Sequence, residues 1–305
     1  MGEICILIVS HKQRFHEEIK RRSDMRCMTS FELKQVQQVY LEMAMDLFEM
    51  FAANDLSATL GGGSVLGAVR HHGFIPWDDD MDINMPRKDF ERMKDLFDDY
   101  FHGKYVFRAP NYKQHSNYRC GKIENQNVIV CDENGFRHGL EIDVFQIENL
   151  PNSAVFRLLR GVRAEICRTI AGLVFEYECA RNRKENNPPV TVIRKICLCT
   201  GRLFSFRKSK EWYDVVDRVN QYHDENSRMV GIPSGRKHYF GEIYPREWVT
   251  EAVPMRFECT SFPVPKGYDT YLKKLYGDYM VIPPEEQREH HYIQGITFTN
   301  ENRST

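Results

Sequence analysis

Apolar positions change their period several times along the chain, and each change marks an element. From Thr29 or Ser30 to about Asn54, the residues Leu33, Val36, Val39, Tyr40, Met43, Leu47, Met50 and Phe51 recur at helical spacing, which predicts one long amphipathic helix. Before it, Lys12 to Arg26 is charged and without period. Residues 1–27 therefore read as an N-terminal extension, disordered or the product of a misassigned start at Met28. Ala58-Thr59-Leu60 predicts a short strand, and Gly61-Gly62-Gly63-Ser64 a turn into a short helix that ends at His71. After a second turn, Gly73 to Trp77, the stretch Asp78 to Met85 reads as a strand. Pro86 then opens a helix to about Phe101, since proline suits a first helical position.

Short β-like pieces follow at Tyr105–Arg108, Tyr118–Ile123 and Val128–Val130, and Leu140 to Ile147 is the clearest strand after them. Asn152 to Glu225 reads as two or three helices broken at Asn186-Asn187-Pro188-Pro189, and the tail mixes turns with a helix from Tyr268 to Tyr276. Strands and helices mixed before a helical block predict an α+β fold in one integrated unit. Its parts are a mixed-sheet core over 28–150, a basic helical block over 151–230, and a segment over 231–305 that completes the core.

Composition narrows the class. The 305 residues are 42% apolar with a formal charge of −1, enough for a sizeable core. Mean hydropathy is −0.54, and no window approaches the roughly 18 apolar residues of a spanning helix. The apolar run Ile4 to Val9 has no basic stretch before it and is not a signal peptide. The nine cysteines include no C-x-x-C pair, as expected of thiols in a reducing cytoplasm. Charge is uneven, however. Pro151 to Lys210 holds 13 Lys/Arg against 4 Asp/Glu, a local balance of +9. Most of these side chains are expected to coat solvated helix faces. The sharper reading is a docking face for anionic membrane, at the inner face of the cell membrane, or for a phosphate-bearing acceptor chain. No nucleic-acid motif accompanies the charge, so nucleic acid is not expected as a partner.

Candidate chemistry starts at Trp77-Asp78-Asp79-Asp80-Met81-Asp82-Ile83. On a strand, Asp80 and Asp82 share a face, with Asp78 just behind. Carboxylates crowded in this way repel unless a cation or protons intervene, and hard oxygens suit Mg²⁺ or Mn²⁺. A calcium loop does not fit, because Ile83 stands where its sharp turn needs glycine and Pro86 begins a helix inside it. Leu140-Glu141-Ile142-Asp143-Val144 places Glu141 and Asp143 opposite a buried face, and an acid there can complete a metal site or take a hydroxyl proton. Gly62 and Gly63 allow close backbone approach, Ser64 can cap the next helix, and a helix N-terminus favours phosphate. Arg70, His72, Arg119 and Lys122 are further candidates for phosphate oxygens.

These motifs resemble the LicD family. The resemblance rests on Gly62-Gly63-Ser64 through Trp77-Asp78-Asp79-Asp80-Met81-Asp82-Ile83, on Glu141-Ile142-Asp143-Val144-Phe145, and on Tyr271-Leu272-Lys273-Lys274-Leu275-Tyr276-Gly277-Asp278-Tyr279 with Pro283-Pro284. Phe31 to Gln35 also resembles the family's start, so the likeness covers about Met28 to His291. It implies a nucleotidyltransferase-like fold that moves a phospho-substituent from a CDP-activated donor to a hydroxyl. Typical members attach phosphocholine to teichoic acid or lipopolysaccharide sugars, and the fukutin-related proteins are more distant relatives that transfer ribitol phosphate. By position, the resemblance makes Asp80, Asp82 and Asp143 catalytic metal ligands and gives Gly62, Gly63 and Ser64 the phosphate. Arg70 or Lys122 would add positive charge at the leaving group. The implied partners are CDP-choline and a glycan or teichoic-acid precursor, and the implied cofactor is Mg²⁺ or Mn²⁺. Gln146 and Glu148 depart from the family's usual proline and aspartate after the I-D-x-F strand, which leaves substrate identity open.

The same carboxylates would serve a nucleotidyltransferase that releases pyrophosphate, and a non-catalytic binder of nucleotide or acidic polymer is a further alternative. A choline ammonium would call for an aromatic cage. Trp77, Phe74, Tyr112, Tyr118 and Phe136 lie in the right part of the chain, and Arg288, His290 and His291 either close over the site or lie on the surface.

Overall fold

The computed structural model describes residues 25–113, 117–133, 135–182 and 192–299. The expected break at Asn186–Pro189 and residues 1–24 lie outside them. Helix α1 (Ser30–Ala53) starts where the periodicity places it, because Thr29 and Glu32 form a capping box. The Glu32 N–H donates to Thr29 Oγ1 at 3.2 Å, and the Thr29 N–H donates to Glu32 Oε2 at 2.8 Å. One face of α1, Val36, Tyr40, Met43, Leu47 and Met50, is buried in the main core. Arg26 clasps Glu32 at 2.6 Å and pairs its backbone with Ile293, so the described end of the N-terminal stretch is tied to the fold.

The core continues through β1 (Thr59–Leu60), α2 (Gly62–His71), β2 (Asp82–Pro86), α3 (Arg87–Phe101), β3 (Val106–Arg108), β4 (Gly121–Asp132) and β5 (Arg137–Leu150). With β10 (Ile293–Phe298) at one edge, the strand order is β1-β2-β5-β4-β10. β2 runs parallel to β5, and every other pair in this sheet is antiparallel. Two expected pieces, Tyr118–Ile123 and Val128–Val130, are one strand, β4, whose register shifts between Asn125 and Ile129. A bulge of this kind breaks the alternation that sequence reading relies on. The acidic stretch also differs from expectation. Pairing starts only at Asp82, and Asp78 to Met81 form an irregular approach held by α1, where Gln37 Nε2 donates to the Asp78 carbonyl at 2.9 Å.

The helical block comprises α4 (Ala154–Asn182), α5 (Val192–Leu203) and α6 (Ser209–Asn220), with its own small core of Ala171, Val174, Trp212, Tyr213 and Val216. No helix among the described residues is long and apolar enough to cross a membrane. The last part adds β6 (Met229–Gly231), α7 (His238–Gly241), β7 (Ile243–Pro245), α8 (Arg246–Thr250), β8 (Ala252–Phe257), β9 (Thr260–Pro265) and α9 (Tyr268–Tyr276). β6 extends the sheet along β5, whereas β8 and β9 form a separate hairpin. The hairpin and β10 were not apparent from the pattern of the tail. The result is α+β with a central helical region, as expected.

Buried charge joins the block to the sheet. Arg87, at the start of α3, donates to Glu148 on β5 and to Asp217 on α6, the latter at 2.7 Å. Asn111 Nδ2 donates to the other Asp217 oxygen at 2.8 Å. Glu148, the departure at the strand's end, is therefore a structural partner here. Removing Arg87 strands two buried carboxylates, so Arg87→Met should lower unfolding free energy by about 3–5 kcal/mol in urea titrations. Burial raises the carboxyl of Glu242 to about 7. Its contribution to stability is complete below about 4.3, the ordinary glutamate value, and is lost as pH rises through about 7. In Glu242→Gln the loss of stability between about pH 5 and pH 8 should be shallower than in the parent, read from urea midpoints.

Candidate active site

The site forms where β2 begins. Parallel pairing sets Asp82 directly beside Asp143, and antiparallel pairing sets Lys122 on the other side of Asp143. Backbone bonds fix the strand start. The Gly61 N–H donates to the Asp82 carbonyl at 2.8 Å, and the Asp143 N–H to the Met81 carbonyl at 3.1 Å. Ser64 was expected to cap α2, but the helix starts earlier, with Gly61 as its N-cap residue. Ser64 Oγ instead accepts from the Asp82 N–H at 3.0 Å, linking α2 to the acidic strand.

The glycines make room for carboxylates. A Cβ on Gly62 would sit 2.2 Å from Asp82 Oδ2, and one on Gly63 would sit 2.9 Å from Asp78 Oδ2. Gly62 also has φ +40°, in the left-handed region. Its N–H donates to the Tyr271 hydroxyl at 2.9 Å, while the Gly63 N–H bonds the Asp82 carboxylate. The turn expected to hold phosphate thus directs these N–H groups at Tyr271 and Asp82.

Burial pushes the carboxyls of Asp78 and Asp82 well up, and the neighbouring carboxylates push them further. Asp80 rises to about 6, mainly from burial, with His291 opposing the rise. Lys122 spans Asp143 at 2.6 Å and Glu141 at 2.9 Å. Burial lowers the affinity of its ammonium for the proton, but Asp143 and Glu141 more than reverse this, so Lys122 stays cationic. With His291 paired to Asp79, one lysine against Asp78, Asp80, Asp82 and Asp143 leaves a deficit of positive charge. Among the described residues no three His, Cys, Asp or Glu side chains converge as a preformed metal cage. The donor set nevertheless fits a hard divalent ion: several carboxylate oxygens, of high proton affinity, beside backbone too close for any side chain.

Other expected contributors lie elsewhere. Arg70 turns toward the tail and donates to the Tyr279 carbonyl at 2.7 Å. The aromatic candidates do not gather into a cage. Trp77 lies under the Arg288 guanidinium at 4.2 Å and Tyr118 under the Lys122 ammonium at 5.2 Å. Phe74 packs on Phe257, Tyr112 packs on Phe107, and Phe136 is exposed.

The family model described as LicD/FKTN/FKRP, nucleotidyltransferase domain, matches residues 55–153, the stretch that holds the glycine turn, the acidic loop and Asp143. The chain is also 27% identical over 276 residues to the lipopolysaccharide cholinephosphotransferase LicD of Haemophilus influenzae, covering 88% of this chain and 98% of that protein. Residues 55–153 thus match the LicD-type domain, and nearly the whole chain is similar to a LicD protein. This likeness makes it a transferase. Two uncharacterized proteins, RP689 of Rickettsia prowazekii and RT0683 of Rickettsia typhi, are each 40% identical to it over 48 residues, 16% of this chain and 18% and 16% of theirs.

Two further residues take part in this site: Tyr271, to which no role was assigned from sequence, and His291, read there as closing over the site or lying on the surface. Tyr271 receives the Gly62 N–H and an amide proton of Asn84, although only its place in the tail motif drew notice. His291 Nδ1 lies 2.6 Å from Asp79 Oδ1, which brings the tail over the acidic loop and raises the imidazole to about 9. No local pattern marks a contact between residues so far apart in the chain. Crowding at the turn yields a prediction. Gly62→Ala should cost about 1–3 kcal/mol through its left-handed backbone alone, plus the displacement of Asp82. Gly63→Ala, whose neighbour is the end of a side chain, should cost less, as compared by chemical denaturation.

Proposed function

We propose that this protein transfers phosphocholine from CDP-choline to a hydroxyl of a cell-surface glycan or teichoic-acid precursor, using Mg²⁺ or Mn²⁺. The observation that carries the reading is the register pair Asp82–Asp143 beside the crowded carboxylates of Asp78 and Asp80. The substrate class is supported by a relative, aligned over nearly its whole length, whose name specifies lipopolysaccharide and choline phosphate. Cytoplasmic residence goes with this reading.

Asp80 and Asp82 would hold the ion, with Asp143 as the third carboxylate. When bound, the ion supplies charge neutralisation for the donor diphosphate. The chain's own groups do the rest. Asp143 accepts the proton of the attacking hydroxyl as oxygen bonds to the choline-bearing phosphorus and the bond to CMP breaks. Lys122, 2.6 Å from Asp143, sets a positive charge beside that carboxylate. The Ser64 bond to the Asp82 N–H holds the loop so that its carboxylates face the same space. Gly62 and Gly63 keep that space clear and leave the first turn of α2 beside the phosphates.

Phosphorus NMR with Mg²⁺, a lipopolysaccharide or teichoic-acid acceptor and a panel of CDP-choline, CDP-ribitol, CDP-glycerol and CTP tests the reading. CMP should appear from CDP-choline, and Asp82→Asn should slow its release by at least about 100-fold with the fold retained. Pyrophosphate released from CTP would instead support a nucleotidyltransferase, and an active Asp82→Asn enzyme would refute the carboxylate triad.

A further inference from the structure

The helical block carries apolar surface that its own packing does not use. α4 buries one stripe, Gly161, Ala164, Ala171 and Val174, against the fold. It also exposes a second, Val155, Leu159, Val162 and Ile166, at the i, i+4, i+7, i+11 spacing of one helix face. α5 repeats the arrangement. Val192, Ile196 and Leu203 recur on a single face and are 73%, 61% and 72% exposed. The two helices are in close contact, since a Cβ on Gly201 would lie 2.2 Å from the Leu173 carbonyl oxygen. Isolated exposed apolar side chains are ordinary, but a stripe over the first turns of α4 and another along α5 give one helical block far more exposed apolar surface than scattered residues do, and such surface marks interaction sites.

The charge around the patch identifies the partner. Arg163 flanks the stripe on α4, Lys195 and Arg202 flank the one on α5, and Arg207 and Lys208 follow directly; all five are exposed. The segment from Pro151 to Lys210 carries its +9 balance within a chain of net −1. A second copy of the chain docking here through a two-fold axis would bring like charge against like. An anionic bilayer surface complements both features, with apolar stripes entering the acyl boundary and basic side chains meeting the headgroups. Neither helix is long and apolar enough to span.

We infer that the exposed faces of α4 and α5 dock the protein in the plane of an anionic membrane surface. The inference is independent of the donor and of the carboxylate site. The full chain should co-sediment with vesicles of phosphatidylcholine mixed with phosphatidylglycerol and much more weakly with phosphatidylcholine alone. Binding should fall as salt is raised. Arg163→Glu with Arg202→Glu should weaken it by at least about tenfold, and Leu159→Ser with Ile196→Ser should do so to a similar extent. Circular dichroism of both pairs should match the parent, since all four positions are exposed. Absence of vesicle binding, equal binding to neutral vesicles, or binding untouched by both pairs would overturn the inference. A dimer in sedimentation velocity that Leu159→Ser with Ile196→Ser abolishes, without vesicle binding, would assign the face to a second copy instead.

Discussion

A parallel backbone pairing that brings Asp82 against Asp143 is the constraint on which the rest of the site depends. Two carboxylates at one register position, with Asp78 and Asp80 pressed close by the preceding loop, are costly for a partly buried sheet to hold. The surrounding residues act to keep them in place. Ser64 and Gly61 bond the backbone of Asp82, Gly62 and Gly63 clear volume for the carboxylates, and Lys122 returns one positive charge. The remaining imbalance is the feature on which the proposed cation and anionic donor rest.

Attachment of the helical block follows the same electrostatic logic with the opposite result. Arg87 bridges Glu148 and Asp217, so these two buried acids are held by one shared guanidinium, although Glu148 Oε2 has no hydrogen-bond partner. This contrast distinguishes Glu148 from the carboxylates of the acidic loop better than burial does. Glu148 and Asp82 both lie in the sheet, yet only Glu148 has a guanidinium bonded to it. The block can then leave its outer faces to another task without disturbing the sheet.

The tail closes the arrangement from a distance in sequence. Tyr271 reaches the Gly62 N–H, Arg70 holds the carbonyls of Tyr279 and Val281, and His291 meets Asp79. Arg288 stacks on Trp77 just before the acidic run. A chain segment beginning near Tyr268 thereby positions the glycine turn and one border of the carboxylate loop.

By itself the sequence determined what short-range chemistry controls. The span of α1 followed from its apolar period and the Thr29–Glu32 cap, the helix after Pro86 from proline's fixed φ, and the buried face of β5 from strict alternation at Leu140, Ile142 and Val144. The acidic run and the glycine turn were legible for the same reason, since each is a local cluster of one residue type. Only the tertiary structure decided which partners these groups have. It started the strand at Asp82, where pairing with β5 begins, and it turned Ser64 from helix cap to strand anchor. It directed Arg70 to backbone carbonyls, and it brought Tyr271 and His291 to a site more than two hundred residues earlier in the chain. Hydrogen bonds and ion pairs depend on distance in space, and periodicity carries no record of that distance.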